Sequence, residues 1–319
     1  MQELVSIIIP TFNREHVISD TLDSIINQSY KNWECIVVDD GSIDKTIDIV
    51  SAYQEKDKRI KLHTRPKVRR KGGNSCRNYG YELSQGMYIQ WFDSDDLMHQ
   101  DKIMQKATLL ETQRNYDFVV CEGVEFIGND KNNTSTKWNK IEAKNPLIAH
   151  ITGDISFHTN GPLFRKSFIK DKLLFNETLL RKQEWEFYSR LLMQSQNYYP
   201  LHKELYYFRV HDNSINSNNS KKTLSSRIRA NNLVFKNLKK HKETLDEHTY
   251  LRKHFLNKYI YFFKLMLSLK QYKSFIYIVR GLLIISNRKI IWSSFKNFIK
   301  NPRILLNLFN LGSKTKKIN

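Results

Sequence analysis

Two short apolar runs near the start of the chain end abruptly in carboxylates, at Asp39–Asp40 and at Asp93–Asp96. Such runs of β-branched and aromatic residues predict buried strands whose C-terminal tips carry the acidic groups. In open α/β sheets, ligands bind outside the carboxyl ends of the strands. Two acidic tips this close in the sequence therefore predict a single site for a nucleotide and a metal ion.

The second cluster is the sharper signal, because Asp93, Asp95 and Asp96 crowd three carboxylates together. A bound cation relieves their mutual repulsion. Hard oxygen ligands suit Mg²⁺ or Mn²⁺, which usually bind through one or two carboxylates plus substrate phosphates. The alternative interpretation is an acidic N-cap for the following helix, although a cap requires one carboxylate rather than three.

The first cluster stands beside Gly41, which permits a tight turn. Asp40 is placed to accept hydrogen bonds from a ligand, and Asp39 is predicted to cap backbone amides. A basic loop follows at 65–71, and its guanidinium and ammonium groups are candidates to cover a diphosphate. A solvated surface loop is an equally good interpretation of those residues.

The first 120 residues alternate strand and helix patterns, which predicts an α/β fold with a mostly parallel sheet covered by helices. From Val124 to His211 the pattern becomes irregular, and we interpret this stretch as the second half of the same domain. The predicted strands are Val5–Ile9, Trp33–Val38, Ile60–His63, Met87–Phe92 and Asp117–Val120. The predicted helices are Glu15–Gln28, Ile43–Glu55, Gly73–Ser84 and Lys102–Arg114.

The net charge of +20 is unevenly distributed along the chain. Residues 1–220 hold 29 Lys+Arg and 29 Asp+Glu, whereas residues 221–319 hold 23 and 3 and so carry the whole excess. We expect a domain over 1–220, divided near residue 120, followed by a basic amphipathic helical region over 221–319.

A basic segment seeks an anionic surface, either lipid headgroups or nucleic acid. Two apolar, helix-like runs at 258–270 and 275–285 are interrupted by Lys264 and Arg280 before they could span a bilayer. Basic residues mixed with aromatic ones on helices favour contact with a membrane surface. An ordinary helical subdomain with a solvated basic face is the alternative. Nucleic acid is not expected, because the aromatic residues lie in apolar runs.

The three cysteines, Cys35, Cys76 and Cys121, show no paired spacing, which favours a reducing compartment over a disulfide scaffold. The start of the chain has a short apolar run without a basic region, so we predict a strand there rather than a signal peptide. Together with the basic region, this favours a cytoplasmic protein that lies peripherally at the inner face of the cell membrane.

Four motifs occur in an order that resembles the family 2 glycosyltransferases, which have the GT-A fold. They are Val5-Ser-Ile-Ile-Ile-Pro-Thr-Phe-Asn13, Val38-Asp-Asp-Gly-Ser-Ile-Asp44, Arg77-Asn78 followed by Gly80, and Phe92-Asp-Ser-Asp-Asp96. Later pieces at 183–187 and 209–211 are similar to an acidic motif on the family's acceptor side and to its terminal Arg-x-His element. The resemblance covers about residues 3–212, so 1–120 would be the nucleotide-sugar half and 121–220 the acceptor half.

The resemblance implies site residues that bind the nucleotide-sugar, hold Mn²⁺ or Mg²⁺, and act as the general base. The implied nucleotide-sugar contacts are Pro10, Thr11, Asn13, Asp40, Arg77, Asp93 and Asp95. The implied metal ligands are Asp95, Asp96 and His211, and Glu184 is the implied base, with Glu186 a weaker candidate. A loop at 160–165 is similar to one near the family's acceptor site. The chain has Gln183-Glu184 where the family more commonly has a Glu-Asp pair, which leaves one carboxylate at that pair.

These observations predict an inverting glycosyltransferase of the hexosyltransferase type, with a UDP-sugar as donor and a glycan or lipid-linked acceptor in surface polysaccharide synthesis. A nucleotidyltransferase that makes sugar nucleotides is one alternative, although it usually requires a Gly-rich phosphate loop near the first strand. A non-catalytic adaptor that binds a membrane or nucleic acid is the other. Release of free UDP in the presence of acceptor separates the three.

Overall fold

The computed structural model describes residues 2–127, 134–137, 140–210, 221–240 and 248–285. The chain divides into two compact units, Met1–Asn218 and Asn219–Asn319. The first unit contains the sheet and all of the acidic motifs. The second unit is helical throughout its described residues.

The N-terminal half of the first unit alternates strands and helices, as predicted. Its elements are β1 (Val5–Thr11), α1 (Ile18–Ile26), β2 (Trp33–Asp39), α2 (Thr46–Lys56), β3 (Ile60–Thr64), α3 (Gly73–Leu83) and β4 (Tyr88–Trp91). The strands lie in the parallel order β3-β2-β1-β4. Every residue of β1, β2 and β4 is buried, because helices cover a parallel sheet on both faces and its strands therefore require continuous apolar runs.

The second half of this unit extends the same sheet with mixed strand directions. Its elements are β5 (Leu97–Met98), α4 (Lys102–Thr112), β6 (Phe118–Ile127), β7 (Thr134–Lys137), α5 (Pro146–Thr152), β8 (Pro162–Arg165), α6 (Lys166–Ile169), α7 (Gln183–Leu192) and β9 (Tyr198–Val210). The strand order continues β4-β8-β6-β9-β5, and β7 pairs with β6. β8 runs antiparallel to both β4 and β6, whereas β6 and β9 are parallel. The predicted parallel arrangement thus holds for the first four strands, and the irregular stretch adds long and partly antiparallel ones.

An aromatic cluster joins this sheet to α7. The ring of Trp91 at the end of β4 lies 5.1 Å from that of Phe175 and 5.6 Å from that of Phe187, measured between centroids. Phe164 of β8 lies 5.7 Å from the same tryptophan. Edge-to-face pairs of this kind add about 0.5–1.5 kcal/mol each beyond the area that they bury. The cluster therefore fixes the start of α7 next to the turn that follows β4.

The second unit contains α8 (Lys221–Leu238), α9 (His248–Ser268), a short 3₁₀ turn and α10 (Phe275–Ile285). The two apolar runs that were predicted to be helical lie within α9 and α10. Phe235 packs on Phe255 with ring centroids 4.8 Å apart. A side chain at Gly281 would collide with the ring of Tyr259, so the glycine permits α10 to approach α9 closely. Every helix in the described part of the chain is too short or too polar to cross a membrane.

Candidate active site

The predicted acidic tips meet at one edge of the sheet. β1, β2 and β4 are parallel neighbours, so Thr11, Asp39 and Asp93 lie at or directly after strand ends that face the same way. The backbone N–H of Asp40 donates to the carbonyl of Thr11, which ties the turn after β2 to the end of β1. The resulting edge carries all of the candidate donor-binding side chains within the described residues.

The turn after β2 is built by Asp39, as predicted. Its carboxylate accepts hydrogen bonds from the backbone N–H groups of Gly41 (2.8 Å) and Ser42 (3.0 Å). Gly41 has a φ of 92°, a left-handed conformation that favours glycine. Asp39 is fully buried and committed to this turn, so Asp40 is the carboxylate left for a ligand.

The end of β1 and the turn after it carry three of the predicted nucleotide contacts. Pro10 lies inside β1 opposite Val38, beyond the end of the pairing with β4, where its missing N–H leaves no gap in that ladder. The hydroxyl of Thr11 is buried without a hydrogen-bond partner. Asn13 has a φ of 51° and accepts a hydrogen bond from the N–H of Ile43 at 3.0 Å, so the two loops brace each other.

The basic loop divides between internal contacts and solvent. Arg65 donates from its Nε to the carboxylate of Asp40, and Arg69 pairs with Glu82 at 2.5 Å. Lys71 places its Nζ 4.1 Å from the centroid of the Phe12 ring. Arg65 therefore supplies positive charge beside the candidate ligand-binding carboxylate, while the other predicted phosphate contacts, Lys67 and Arg70, are exposed.

The buried Arg77 and the partly buried Asp93 form an ion pair at the centre of the edge. α3 places the Arg77 guanidinium 2.7 Å from Oδ1 of Asp93. Burial alone would raise the pKa of Asp93, but Arg77 and His158 outweigh burial and lower that pKa. Burial would likewise lower the pKa of Arg77, and the carboxylates of Asp93 and Glu184 raise it instead. Both groups are therefore charged at neutral pH.

Asp95 and Asp96 differ sharply in their surroundings. The Asp95 side chain is 19% exposed, and its carboxylate lies 3.3 Å from the Arg14 guanidinium. Asp96 is buried, with Oδ1 accepting from the N–H of Arg209 at 2.8 Å and Oδ2 accepting from the amide of Asn160. Burial, together with the charges of Asp95 and Asp93, raises the pKa of Asp96 well above its ordinary value. These hydrogen bonds anchor Asp96 in the turn, and its place among the metal ligands stays a prediction.

The loop after α5 contains residues that the sequence analysis undervalued. Asn160 accepts a hydrogen bond from the N–H of Asp93 at 2.9 Å, in addition to its contact with Asp96. His158 stacks on Tyr206 and places its Nε2 3.8 Å from Oδ2 of Asp93. The sequence signal was only the Asn-Gly-Pro turn at 160–162, which gave no indication that the residues before it would reach the acidic cluster.

Glu184 joins the same cluster from the first turn of α7. The hydroxyl of Thr159 donates to its Oε1. Asp93, His158 and Glu184 each offer a ligand atom, and these atoms all lie within 4.8 Å of one another. The structure thus brings together the predicted base and a predicted donor-side carboxylate, which lie far apart in the sequence.

Glu186, the weaker candidate base, points to a different partner. Its carboxylate is buried and pairs with Arg190 one turn later at 2.6 Å. Arg190 also donates to the carbonyls of Leu173 and Leu174. This arrangement anchors α7 to the preceding segment, so it is structural.

The donor set partly fits a divalent ion. Asp93 and Asp95 offer ionised or partly exposed oxygen ligands of the kind that Mg²⁺ and Mn²⁺ prefer. Asp96 accepts one hydrogen bond on each of its oxygens, so it would bind a metal ion only through its remaining lone pairs. His211 lies outside the described residues. Arg209, two residues earlier, donates to the carbonyl of Asp95 at 2.9 Å and so helps to hold the acidic turn.

Comparison with known proteins places the chain. It is 41% identical over 100 residues, 31% of this chain and 39% of the relative, to TuaG of Bacillus subtilis, named as a teichuronic acid biosynthesis glycosyltransferase. It is 38% identical over 107 residues, 34% of this chain and 41% of the relative, to the Escherichia coli WfgD. WfgD is named a UDP-Glc:alpha-D-GlcNAc-diphosphoundecaprenol beta-1,3-glucosyltransferase. The chain thus spans about two fifths of the length of these two relatives.

Solved structures agree on the fold. TarS of S. aureus in complex with UDP-GlcNAc matches with a TM-score of 0.61 at 20% identity, over 73% of this chain and 65% of that one. This likeness supports the GT-A fold. The family model described as "Glycosyl transferase family 2" matches residues 6–171, which is more than half of the chain and includes every acidic motif up to the loop after α5. The chain therefore belongs to glycosyl transferase family 2.

Proposed function

We propose that this glycosyltransferase moves a sugar from a UDP-sugar to a hydroxyl of a glycan or lipid-linked acceptor, with inversion at the anomeric carbon. The observation that carries the proposal is the approach of Glu184 to Asp93 and His158, with ligand atoms within 4.8 Å. When the base and the donor-side carboxylate lie this close to each other, the space between them suits one reacting centre, the anomeric carbon with the attacking hydroxyl. TarS was solved in complex with UDP-GlcNAc, and the name of WfgD gives UDP-Glc as its donor. Both favour a UDP-sugar as the donor of this chain.

The nucleotide would lie along the edge formed by β1 and β2. The unpartnered hydroxyl of Thr11 and the carboxylate of Asp40 offer a donor and an acceptor for the base and the ribose. Arg77 carries a buried positive charge next to Asp93, which suits an anionic diphosphate close by. Asn13 braces the loop above these groups.

Transfer requires one proton acceptor. Glu184 would take the proton from the acceptor hydroxyl while the oxygen attacks the anomeric carbon and the bond to the UDP oxygen breaks. A single in-line displacement of this kind inverts the carbon. The Thr159 hydroxyl fixes the orientation of the Glu184 carboxylate. Mg²⁺ or Mn²⁺ held by Asp95 with Asp93 beside it would neutralise charge on the departing diphosphate.

The experiment that tests the base compares Glu184→Gln with Glu55→Gln, an exposed glutamate on α2. Glu184→Gln keeps the size of the side chain and removes its basicity, so turnover should fall by roughly 10²–10⁴ while UDP-sugar affinity stays nearly unchanged. Glu55→Gln should behave as the wild type. UDP release with acceptor measures turnover, and NMR of the product reports its anomeric configuration.

Retention of configuration, or wild-type turnover by Glu184→Gln, would remove Glu184 from the role of base. The same assay separates the alternatives. A nucleotidyltransferase would release pyrophosphate from a nucleotide triphosphate rather than UDP from a sugar nucleotide. A non-catalytic adaptor would release neither.

The second unit supports a proposal about location. It carries the excess positive charge of the chain, and aromatic side chains on its helices are exposed, among them Tyr250, Tyr261 and Tyr272. Lys253 and Lys264 are exposed on the same stripe of α9 as the first two tyrosines. We infer that this unit holds the enzyme peripherally on the anionic inner face of the cell membrane, where a lipid-linked acceptor of surface polysaccharide synthesis would be found.

A further inference from the structure

Two lysines of α4 are buried completely, where a charged group is costly. Lys102 and Lys106 have no exposed surface. The Nζ of Lys102 donates to the carbonyl of Asn160. The Nζ of Lys106 donates to the carbonyl of Gly161 at 2.6 Å and to Oε1 of Gln90 at 2.7 Å. The two ammonium groups therefore hold consecutive carbonyls of one loop.

A third side chain completes the support from β4. Gln90 is fully buried and donates from Nε2 to the carbonyl of Asn160 at 3.1 Å. The Gly161 carbonyl also accepts from the N–H of Cys121 at 3.3 Å. Side chains of α4 and β4 and the backbone of β6 thus donate hydrogen bonds to the loop backbone. These three elements belong to the core of the first unit.

The side chains of the same loop point to the reacting groups. Asn160 holds the N–H of Asp93 and the carboxylate of Asp96. Thr159 donates to Glu184, and His158 approaches Asp93. A shift of this backbone would therefore change the distance between the donor-side carboxylate and the base.

We propose that Lys102 and Lys106 are positioning residues for sugar transfer, which hold the loop at 158–161 so that Asp93 and Glu184 keep the spacing that the reaction needs. This inference rests on the role of Glu184 proposed above. It concerns neither substrate contact nor proton transfer, because within the described residues the two Nζ atoms donate to the loop and to Gln90 and lie against aromatic rings.

Stability alone is a poor explanation for this pair. Burial lowers the pKa of Lys102 to about 8 and that of Lys106 well below its ordinary value, which measures the cost of placing ammonium groups there. The rings of Phe92 and Tyr206 lie 4.7 and 4.8 Å from the Lys102 Nζ and recover part of that cost. Replacing buried charge with an apolar side chain of similar volume is often neutral or stabilising overall, so the hydrogen bonds to the loop carbonyls favour a role in placing the loop.

The test uses the full chain with Lys102→Met and Lys106→Met, which keep length and volume but remove the donors. We expect thermal stability close to that of the wild type and amide exchange at Asn160, Gly161 and Asp93 raised about 10-fold, since the loop opens locally. Turnover should fall roughly 10- to 100-fold, because small misplacements of reacting groups cost that much, while UDP affinity stays within about 3-fold.

Lys166→Met is the matched control, because the Nζ of Lys166 also donates to a backbone carbonyl, that of Ser84, away from the loop. It should leave loop exchange and turnover unchanged. Lys106→Gln retains an N–H donor and should restore part of the loss, and it serves as the second variant if a methionine variant does not fold.

Wild-type loop exchange and turnover in both methionine variants would overturn the proposal. So would a parallel loss of stability, UDP affinity and turnover, which is the signature of a role in folding alone. If the wild-type chain transfers no sugar from UDP-sugars, the proposed function fails, and the exchange measurement still decides whether the lysines hold the loop.

Discussion

The acidic turn after β4 carries carboxylates that differ in burial and in their hydrogen bonds. Asp96 is buried under Arg209 and Asn160, and both of its oxygens accept hydrogen bonds. Asp95 stays partly exposed beside Arg14. Three adjacent carboxylates in a sequence look equivalent, but only burial and the direction of each side chain distinguish them.

Asp96→Asn should therefore lower the stability of the fold, whereas Asp95→Asn should lower the affinity for the donor. In Asp96→Asn, the new side-chain NH₂ group would face the NH₂ group of Asn160, so two hydrogen-bond donors would meet. A buried mismatch of this kind destabilises the fold by about 1–3 kcal/mol. Asp95→Asn should leave the unfolding temperature nearly unchanged and remove most Mn²⁺-dependent UDP-sugar affinity. Thermal unfolding and calorimetric titration, each with Mn²⁺ and with EDTA, measure the two effects.

Full affinity for UDP-sugar in EDTA would exclude a metal from donor binding in the wild type. If Asp96→Asn kept its stability and lost the Mn²⁺ dependence while Asp95→Asn kept it, the original prediction of Asp96 as a ligand would stand instead. Asp93→Asn is unsuitable for this comparison, because it also breaks the ion pair with Arg77.

At the scale of elements, the first turn of α7 carries two glutamates with different partners. Glu184 faces the Thr159 hydroxyl, and Glu186 faces Arg190 inside the protein. Arg190 in turn holds the carbonyls of the segment before the helix. The Glu186–Arg190 pair therefore helps to anchor the helix that presents the candidate base.

Glu186→Gln tests this division with the same chemical change as Glu184→Gln. It leaves the buried Arg190 without its charge partner, and we expect a loss of about 3 kcal/mol in the free energy of unfolding. Turnover per folded molecule should fall far less than in Glu184→Gln. Urea unfolding gives the stability, and UDP release gives the turnover. A stable Glu186→Gln protein without activity would point to Glu186 as the base.

The elements differ in how well the sequence predicts them. β1, β2 and β4 were predictable because their runs are apolar throughout, and the chemistry at their tips follows from parallel neighbours. The pairing of β6 with β9 was not predictable, since it joins residues about eighty positions apart with irregular register. For the same reason Asn160 could not be assigned, because its partner Asp96 lies 64 residues earlier and no local pattern records that contact. Likewise, nothing in the spacing of Lys102 and Lys106 distinguishes buried lysines from exposed ones.

A further contact between elements involves the ring of His202 on β9. Its Nδ1 lies 2.9 Å from Glu122 of β6, and its Nε2 lies 2.8 Å from Glu142. Hydrogen bonds to Glu122 and Glu142 raise the pKa of His202 above its ordinary value. A folded-state pKa above the unfolded value stabilises the fold at low pH, fully so below about 6.5, and that stabilisation is lost as pH rises through the folded pKa.

His202→Gln should accordingly lower the unfolding temperature more at pH 6 than at a pH above the folded-state pKa of the ring. Thermal unfolding of the wild type and of His202→Gln across this pH range is the measurement. An equal loss for His202→Gln at both pH values would show that the ring contributes packing rather than charge.

At the scale of the whole molecule, the positive charge is concentrated in the part of the chain that follows the site motifs. Residues 1–220 are neutral and contain every motif of the site, whereas residues 221–319 hold 23 basic and 3 acidic residues. A neutral catalytic unit does not repel an anionic nucleotide-sugar, and a basic unit attracts an anionic surface. The location proposed above would let one chain take its acceptor from a membrane and its donor from solution.

The full chain should therefore bind vesicles that contain anionic lipid and ignore neutral ones. Basic residues near an anionic leaflet contribute on the order of 1 kcal/mol each, and the attraction is screened within a Debye length of about 10 Å at 0.1 M salt. Lys253→Glu with Lys264→Glu on α9 should weaken sedimentation with anionic vesicles strongly. Lys56→Glu with Lys58→Glu, an equal change of charge on exposed residues of the first unit, should weaken it little. Equal binding to neutral vesicles, or no binding to anionic vesicles at low salt, would contradict the location proposed here. Tight binding to DNA instead would favour an adaptor that uses the second unit to bind nucleic acid.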